Sequence, residues 1–210
     1  MNNQFKTDQE AFWAGRFGDD YAGRNAGAAL IGSNIAMFSR ILSLCAGVKS
    51  LIEFGANIGL NLRAIRSLWP EVSLDAIEIN ESAVQQLRAW GGTGRIHHGS
   101  ILNFEPDRSW DLALIKGVLI HIDPQYLPQV YDLLYAASSR YIVVIEYYNP
   151  TPVEVTYRGH SGKLFKRDFA GELLDRHPSL RVLDYGFVWR RDPVFPQDDP
   201  TWFILEKTHA

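Results

Sequence analysis

Ser50-Leu51-Ile52-Glu53-Phe54-Gly55-Ala56-Asn57-Ile58-Gly59-Leu60 is a short apolar strand that passes through an acidic residue into a turn, and an amphipathic segment opens at Leu60. Small or turn-adapted residues stand at every second position of the turn. Glycine admits φ > 0 and lets a ligand approach the backbone closely, and asparagine is the next most tolerant residue there. Roughly twenty residues on, a second strand, Leu74-Asp75-Ala76-Ile77-Glu78-Ile79-Asn80, carries another acid, Glu78. A tight turn beneath a ligand with a carboxylate for ribose hydroxyls is the chemistry of holding a nucleoside. The cofactor expected from these residues is of the adenosine type.

Outward from this segment, strands and helices alternate. Strands are predicted at 49–54, 74–79, 95–98, 111–115, 140–147, 181–189 and 201–207, and helices near 59–68, 81–90, 124–137 and 168–176. Such alternation gives a parallel sheet with helices on both faces. The 140–147 strand is apolar throughout its middle, as a strand buried on both faces is. The last two strands follow one another without a convincing helix between them, which predicts a terminal antiparallel hairpin. Ahead of the first strand, Phe12, Trp13, Phe17 and Tyr21 form an aromatic stripe at helical spacing, and the periodicity continues through Ile31, Ile35, Phe38, Ile41 and Leu42. The expected fold class is α/β: a doubly wound, seven-stranded, mostly parallel sheet. One domain over 1–210 would comprise an N-terminal helical cap or lid (1–45), a Rossmann-like core (46–210) and a substrate loop at about 150–170.

The 210 residues and net charge of −3 suit one ordinary α/β domain and favour no nucleic-acid partner. Cys45 is the single cysteine and cannot form an internal disulfide. No apolar run approaches the ~20 residues of a membrane span, and Met1-Asn2-Asn3-Gln4 is no signal peptide, so a cytoplasmic protein with no membrane partner is expected. His97-His98 invites a metal reading, but adjacent strand residues point to opposite faces and no matching carboxylate or thiolate cluster accompanies them, so no metal site is expected.

Glu53-x-Gly55-x-Asn57-x-Gly59 resembles the glycine-rich first motif of S-adenosylmethionine-dependent methyltransferases, with Asn57 in place of the usual middle glycine. It does not fit the Gly-x-Gly-x-x-Gly of a dinucleotide loop, and there is no Gly-Lys-Ser/Thr of the P-loop type. The resemblance implies S-adenosyl-L-methionine as cofactor. It places Glu53, Gly55, Ala56, Asn57 and Gly59 at the cofactor turn, with the Asn57 amide toward the methionine part. Glu78, with Ile79, would meet the ribose, Ser100 and Ile101 the adenine, and Lys116 and Gly117 the sulfonium and methionine end.

Longer stretches resemble the pseudaminic acid biosynthesis-associated methylase family over nearly the whole chain. They are Phe12–Tyr21 with Arg24-Asn25, Glu53–Leu62, Lys116–Ile122, Glu146–Pro152, Tyr157–His160, Leu164–Glu172, Asp184–Phe187, and Gln197-Asp198-Asp199 with Trp202-Phe203. Arg16 stands where an acidic residue is expected in that family. The family name denotes association with a nonulosonic sugar pathway and leaves the methyl acceptor open.

Methyl transfer from a sulfonium needs alignment and, for a hydroxyl or ammonium acceptor, a base. His121, just beyond the fourth strand, is the first candidate base; the alternative is a histidine that caps or packs beneath the next helix. Glu146 and Tyr147, at the exit of the fifth strand, could accept a proton or orient an amine. Tyr148, Asn149, Tyr157, Arg158, His160, Lys166 and Arg167 are candidate acceptor contacts, the cations suited to a carboxylate or phosphate; an exposed basic loop is the alternative. Trp13, Tyr21 and Arg24 either pack on the core or form a lid that reaches the cofactor.

The function expected is methylation of O or N on a small polar, anionic metabolite, sugar-like or amino-acid-like, in a biosynthetic setting. The partners expected are that small-molecule acceptor and a possible homodimer. The alternatives are a non-catalytic cofactor-binding regulatory protein, or a nucleic-acid or protein methyltransferase.

Overall fold

The computed structural model describes residues 5–24 and 27–208; Asn25 of the quoted motif lies outside them. Three helices precede the sheet: α1 (Asp8–Ala14), α2 (Arg16–Arg24) and α3 (Ala28–Leu42). α1 opens on a capping box, in which the Thr7 hydroxyl accepts the Glu10 N–H and the Glu10 carboxylate accepts the Thr7 N–H. Two donors that a helix start leaves unpaired are thereby satisfied.

The alternating elements follow: β1 (Ser50–Phe54), α4 (Leu60–Leu68), β2 (Ser73–Glu78), α5 (Glu81–Trp90), β3 (Ile96–His98), β4 (Trp110–Lys116), α6 (Leu127–Ala137) and β5 (Ser138–Glu146). A short hairpin, β6 (Val153–Glu154) and β7 (Phe165–Lys166), then leads to α7 (Phe169–Arg176), β8 (Leu180–Phe187) and β9 (Thr201–Lys207).

The main sheet has seven strands in the order β3-β2-β1-β4-β5-β9-β8. Its first five are mutually parallel, and β9 runs antiparallel to both β5 and β8. The terminal antiparallel pair is thus present, with the last strand inserted between its predecessor and β5. The chain leaves β1 toward β2 and β3, then returns to place β4 on the other side. That reversal opens a crevice at the carboxyl ends of β1 and β4, where open α/β sheets bind ligands.

Alternation along each strand supplies two cores. Ile52, Phe54, Ile115, Ile142 and Val144 face one side with α6 and α7, while Leu51, Leu114, Val143 and Ile145 face the other with α3 and α4. This two-sided burial is why those strands read as continuous apolar runs.

Local departures from the expected elements have local causes. The helix predicted at 124–137 begins as a 3-10 turn, Pro124–Tyr126, because Asp123 caps Gln125 before α6 starts. The strand predicted at 140–147 ends at Glu146, so Tyr147 begins the loop. The β6–β7 hairpin lies inside the predicted substrate loop; strands this short carry too little alternation to be read from sequence. No described helix is long and apolar enough to cross a membrane.

Candidate active site

The turn after β1 is shaped as a cradle. Gly55 has φ 75° and Asn57 φ 49°, the left-handed region that glycine and asparagine tolerate. A Cβ at Gly55 would lie 2.4 Å from Val118 Cγ2. The Asn57 side-chain oxygen accepts the Ile58 N–H at 2.7 Å. Beside it, the buried Glu78 carboxylate joins two turns, accepting the Asn57 N–H at 2.7 Å and the Asn80 N–H at 2.8 Å, one on each oxygen. Each oxygen has a second lone pair. Burial raises the Glu78 pKa, and the backbone donors oppose that rise.

Above the cradle is a cavity of ≈ 580 Å³, a size suited to a small-molecule site. Of the residues singled out in the sequence, Trp13, Tyr21, Gly55, Ala56, Asn57, Glu78, Ile79, Ser100, Ile101, Lys116, Gly117, His121, Glu146, Tyr147, Tyr157 and Arg158 line it. They come from α1, α2, the turns after β1 to β5 and the tip of the β6–β7 hairpin.

At the β3 end, Ser100 caps a 3-10 turn, accepting the Leu102 N–H at 3.0 Å, and donates its hydroxyl proton to Glu10 of α1. Asn80, the N-cap of α5, donates to Asp19 at 2.9 Å and to the Trp13 carbonyl at 3.3 Å. These bonds hold α1 and α2 over the cavity.

At the β4–β5 end, Glu146 accepts the Val118 and Leu119 N–H groups, both at 2.9 Å and both on one oxygen. Its other oxygen is buried with no hydrogen-bond partner. Burial pushes this carboxyl up to about 7, against the backbone donors and Lys116. His121 is buried in a 3-10 turn, and its Nδ1 meets the Lys163 carbonyl at 2.5 Å. A carbonyl only accepts, so Nδ1 carries the proton and Nε2 keeps its lone pair. Burial pushes the imidazole down to about 4, opposed by the Lys163 bond.

The His121 ring packs between Trp13 at 4.6 Å and Tyr157 at 5.0 Å, and Trp13 meets Tyr21 edge-on at 5.2 Å. The Trp13 Nε1 is buried with no partner. Burial pushes the Tyr21 phenol up to about 12 and raises Tyr147 as well.

Eight of the expected contacts do not line this cavity. Glu53 is fully buried beneath the cradle, where one oxygen accepts the Asn61 amide at 2.6 Å and the other has no partner; desolvation pushes it up to about 8. Asn61, not Glu53, reaches the cavity. Gly59 starts α4 at φ 80°, and a Cβ there would lie 2.5 Å from Leu87 Cδ1, so it serves the packing of α4 on α5.

Arg24 lies over the Phe17 ring at 5.7 Å, and His160 packs against Phe12 at 5.0 Å. Arg167 pairs with Glu172 at 2.7 Å, and the Asn149 amide donates to the Thr151 carbonyl at 2.5 Å. Tyr148 and Lys166 line a second cavity instead, one that shares Tyr147, Arg190 and Asp198 with the first.

The cavity is also lined by residues not among the expected contacts, Glu10, Asn34, Arg190, Gln197 and Asp198 among them. The Asn34 side-chain oxygen accepts Lys116 Nζ at 3.2 Å and Gln197 Nε2 at 3.0 Å, joining α3, β4 and the β8–β9 loop. The available signals were Ser33-Asn34 interrupting an apolar helix and the motif Gln197-Asp198-Asp199. Among the described residues, no group of three or more His, Cys, Asp or Glu is placed to hold a metal. His97 packs on Phe104, and His98 pairs with Glu81 at 3.0 Å.

No family model matches the chain, and no curated protein matches its sequence. Solved structures do match. A SAM-dependent methyltransferase of Leishmania major superposes with a TM-score of 0.70 at 16% identity, covering 97% of this chain and 88% of that one. The 1,6-didemethyltoxoflavin-N1-methyltransferase of Burkholderia thailandensis, solved with 1,6-didemethyltoxoflavin and S-adenosylhomocysteine, gives 0.68 at 14% identity, covering 95% and 87%. An amino pentose methyltransferase from Micromonospora echinaspora, solved with SAM, gives 0.63 at 12% identity, covering 91% and 96%. At such identities the likeness is one of architecture: the chain has the class I S-adenosylmethionine-dependent methyltransferase fold.

Proposed function

We propose that this protein is an S-adenosyl-L-methionine-dependent methyltransferase acting on an oxygen or nitrogen of a small, polar, anionic metabolite, sugar-like or amino-acid-like. The observation that carries the reading is the cavity's division. One end offers the Gly55–Asn57 turn and the Glu78 carboxylate, and the other gathers His121, Glu146 and Tyr147. The cradle fits the donor, since the Glu78 oxygens, each holding one backbone N–H, retain acceptor capacity for ribose hydroxyls. The solved relatives that hold SAM or S-adenosylhomocysteine support it.

When bound, the cofactor supplies a methyl group already activated on a sulfonium. In this reading Glu78 orients the ribose, Ser100 and Ile101 flank the base, and the turn at Gly117 borders the methionine part. Glu146 fixes that turn through the Val118 and Leu119 N–H groups, while its unpartnered oxygen receives a proton from the acceptor. His121 Nε2 is the alternative proton acceptor, held in place by the Nδ1 bond to Lys163. Arg158, at the cavity rim, holds an acidic group of the acceptor. Residues 1–45 act as the cap and 46–210 as the core, with Trp13 and Tyr21 excluding water.

Membership of the pseudaminic acid biosynthesis-associated methylase family is part of the proposal. Its support is that the Phe12–Tyr21, Glu53–Leu62, Lys116–Ile122 and Gln197–Asp199 stretches each contribute to the cavity wall. A cytoplasmic location accords with the lone, buried Cys45. Incubating the protein with labelled donor and metabolite extracts, then identifying the product by mass spectrometry, tests the activity. Donor binding without transfer to any metabolite would favour a regulatory binding protein instead.

A further inference from the structure

The carboxyl edge of the sheet orders a bound nucleoside. The Gly55 turn follows β1 and the proposed ribose acid, Glu78, ends β2, so the base extends toward β3, the next strand out. At the turn after β3 the neutral acceptors are partly or wholly taken, the Ser100 oxygen keeping one lone pair and the Leu102 carbonyl none. The single Ser100 hydroxyl proton goes to Glu10, and its oxygen accepts the Leu102 N–H. The Leu102 carbonyl takes both Lys6 Nζ at 2.7 Å and Gln129 Nε2 at 2.8 Å.

Glu10 is an acidic group that lines the cavity at this turn. It is 6% exposed and lines the cavity beside Ser100 and Ile101. Its Oε2 accepts the Thr7 N–H at 2.8 Å, while its Oε1 accepts the Ser100 hydroxyl. Carboxylate oxygens accept twice, so Oε1 keeps a lone pair.

Resting on the methyl-donor reading above, we propose that Glu10 of α1 reads the exocyclic amine of the cofactor's adenine and sets its base specificity. A buried carboxylate favours a 6-amino purine, which donates to it. A 6-oxo purine would meet it lone pair to lone pair, and mismatches of that kind are costly. Because the reader belongs to α1, recognition of the base and docking of the N-terminal helices share one contact.

The test is calorimetric titration with S-adenosylhomocysteine and with S-inosylhomocysteine, its 6-oxo counterpart. Wild-type protein should prefer the amino form by about ten- to hundredfold, the range of a hydrogen bond to a charged group. Glu10→Gln keeps an acceptable capping-box residue and offers an amide that can donate, so the preference should fall to within about threefold or invert. Glu10→Ala should lose it too, with the apo melting curve reporting the fold.

Equal wild-type affinity for the two ligands, or an undiminished preference in Glu10→Gln, would overturn the proposal. Wild-type protein that binds neither ligand overturns the donor reading and this inference with it. Wild-type binding of S-adenosylhomocysteine with unchanged selectivity in the variants overturns this inference alone.

Discussion

Glu146, the last residue of β5, holds the turn that leaves β4 by accepting the Val118 N–H at 2.9 Å. The adjacent Leu119 N–H reaches the same oxygen, so one carboxylate both shapes the cavity floor and presents its second oxygen within the buried site. Burial holds this group up to about 7 from an ordinary 4.5. Between those values the folded chain keeps a proton that the unfolded chain has released. The group's stabilising contribution is therefore fully present below 4.5 and is lost as pH rises through about 7. A base must be ionised, so turnover should move the opposite way, rising through the same pH. Glu146→Gln should flatten the rate profile and reduce the fall in melting temperature between about pH 5 and 8. A rate limb with an unchanged midpoint in that variant would assign the ionisation elsewhere.

His121 provides a second, separable prediction. Its imidazole, pushed down to about 4, is already neutral at pH 5 and should contribute no limb to the profile above it. With Glu146 as the proton acceptor, His121→Ala should keep kcat within about tenfold of wild type; a loss of about 10²–10⁴-fold, the usual worth of a positioned base, would move proton transfer to His121. S-adenosylhomocysteine affinity should stay within about threefold, because the side chain's own hydrogen bond is to Lys163.

Gly55 separates backbone strain from cofactor contact. Gly55→Ala carries roughly 1–2 kcal/mol of left-handed strain in addition to the Val118 clash. The melting temperature should fall by about 2–8 °C and affinity for the methyl donor by at least about tenfold. Gly47→Ala is the matched control. It has a similar φ of 78° but lies outside the cavity, and a Cβ there would come no nearer than 4.0 Å to Arg140 Nη1. It should lose stability and keep affinity, as paired melting and titration experiments would reveal.

Arg158 lies exposed at the hairpin tip, over the Tyr157 ring at 5.9 Å. Arg158→Ala should raise KM for an anionic acceptor by about ten- to hundredfold, with donor affinity and melting temperature unchanged. Steady-state kinetics with a neutral analogue provides the contrast: if the analogue loses as much as the anion, charge recognition is not the role of Arg158.

The sheet was legible because burial on both faces wrote Leu51-Ile52 and Tyr141–Ile145 as continuous apolar runs between amphipathic helices. The cradle was legible because positive φ restricts residue choice at Gly55 and Asn57. Glu10 was not. Its sequence role is satisfied by the Thr7 capping box, and the Ser100 contact joins residues 90 positions apart. Asn34 was hidden in the same way, since its partners Lys116 and Gln197 come from distant parts of the chain. Glu53 misled for a related reason: a motif gives the order of residues but not which side of the strand's end reaches solvent.

The position of β9 between β5 and β8 has a consequence for biosynthesis. β8 leaves the ribosome before the strand that will be its neighbour in the sheet, and β5 waits longer still with one edge unpaired. Tyr185 and Phe187, exposed even in the finished fold, ride on β8. A chain interrupted before Thr201 would forfeit two strands rather than one, leaving Val143 and Ile145 on an open edge of the kind that invites pairing with another chain.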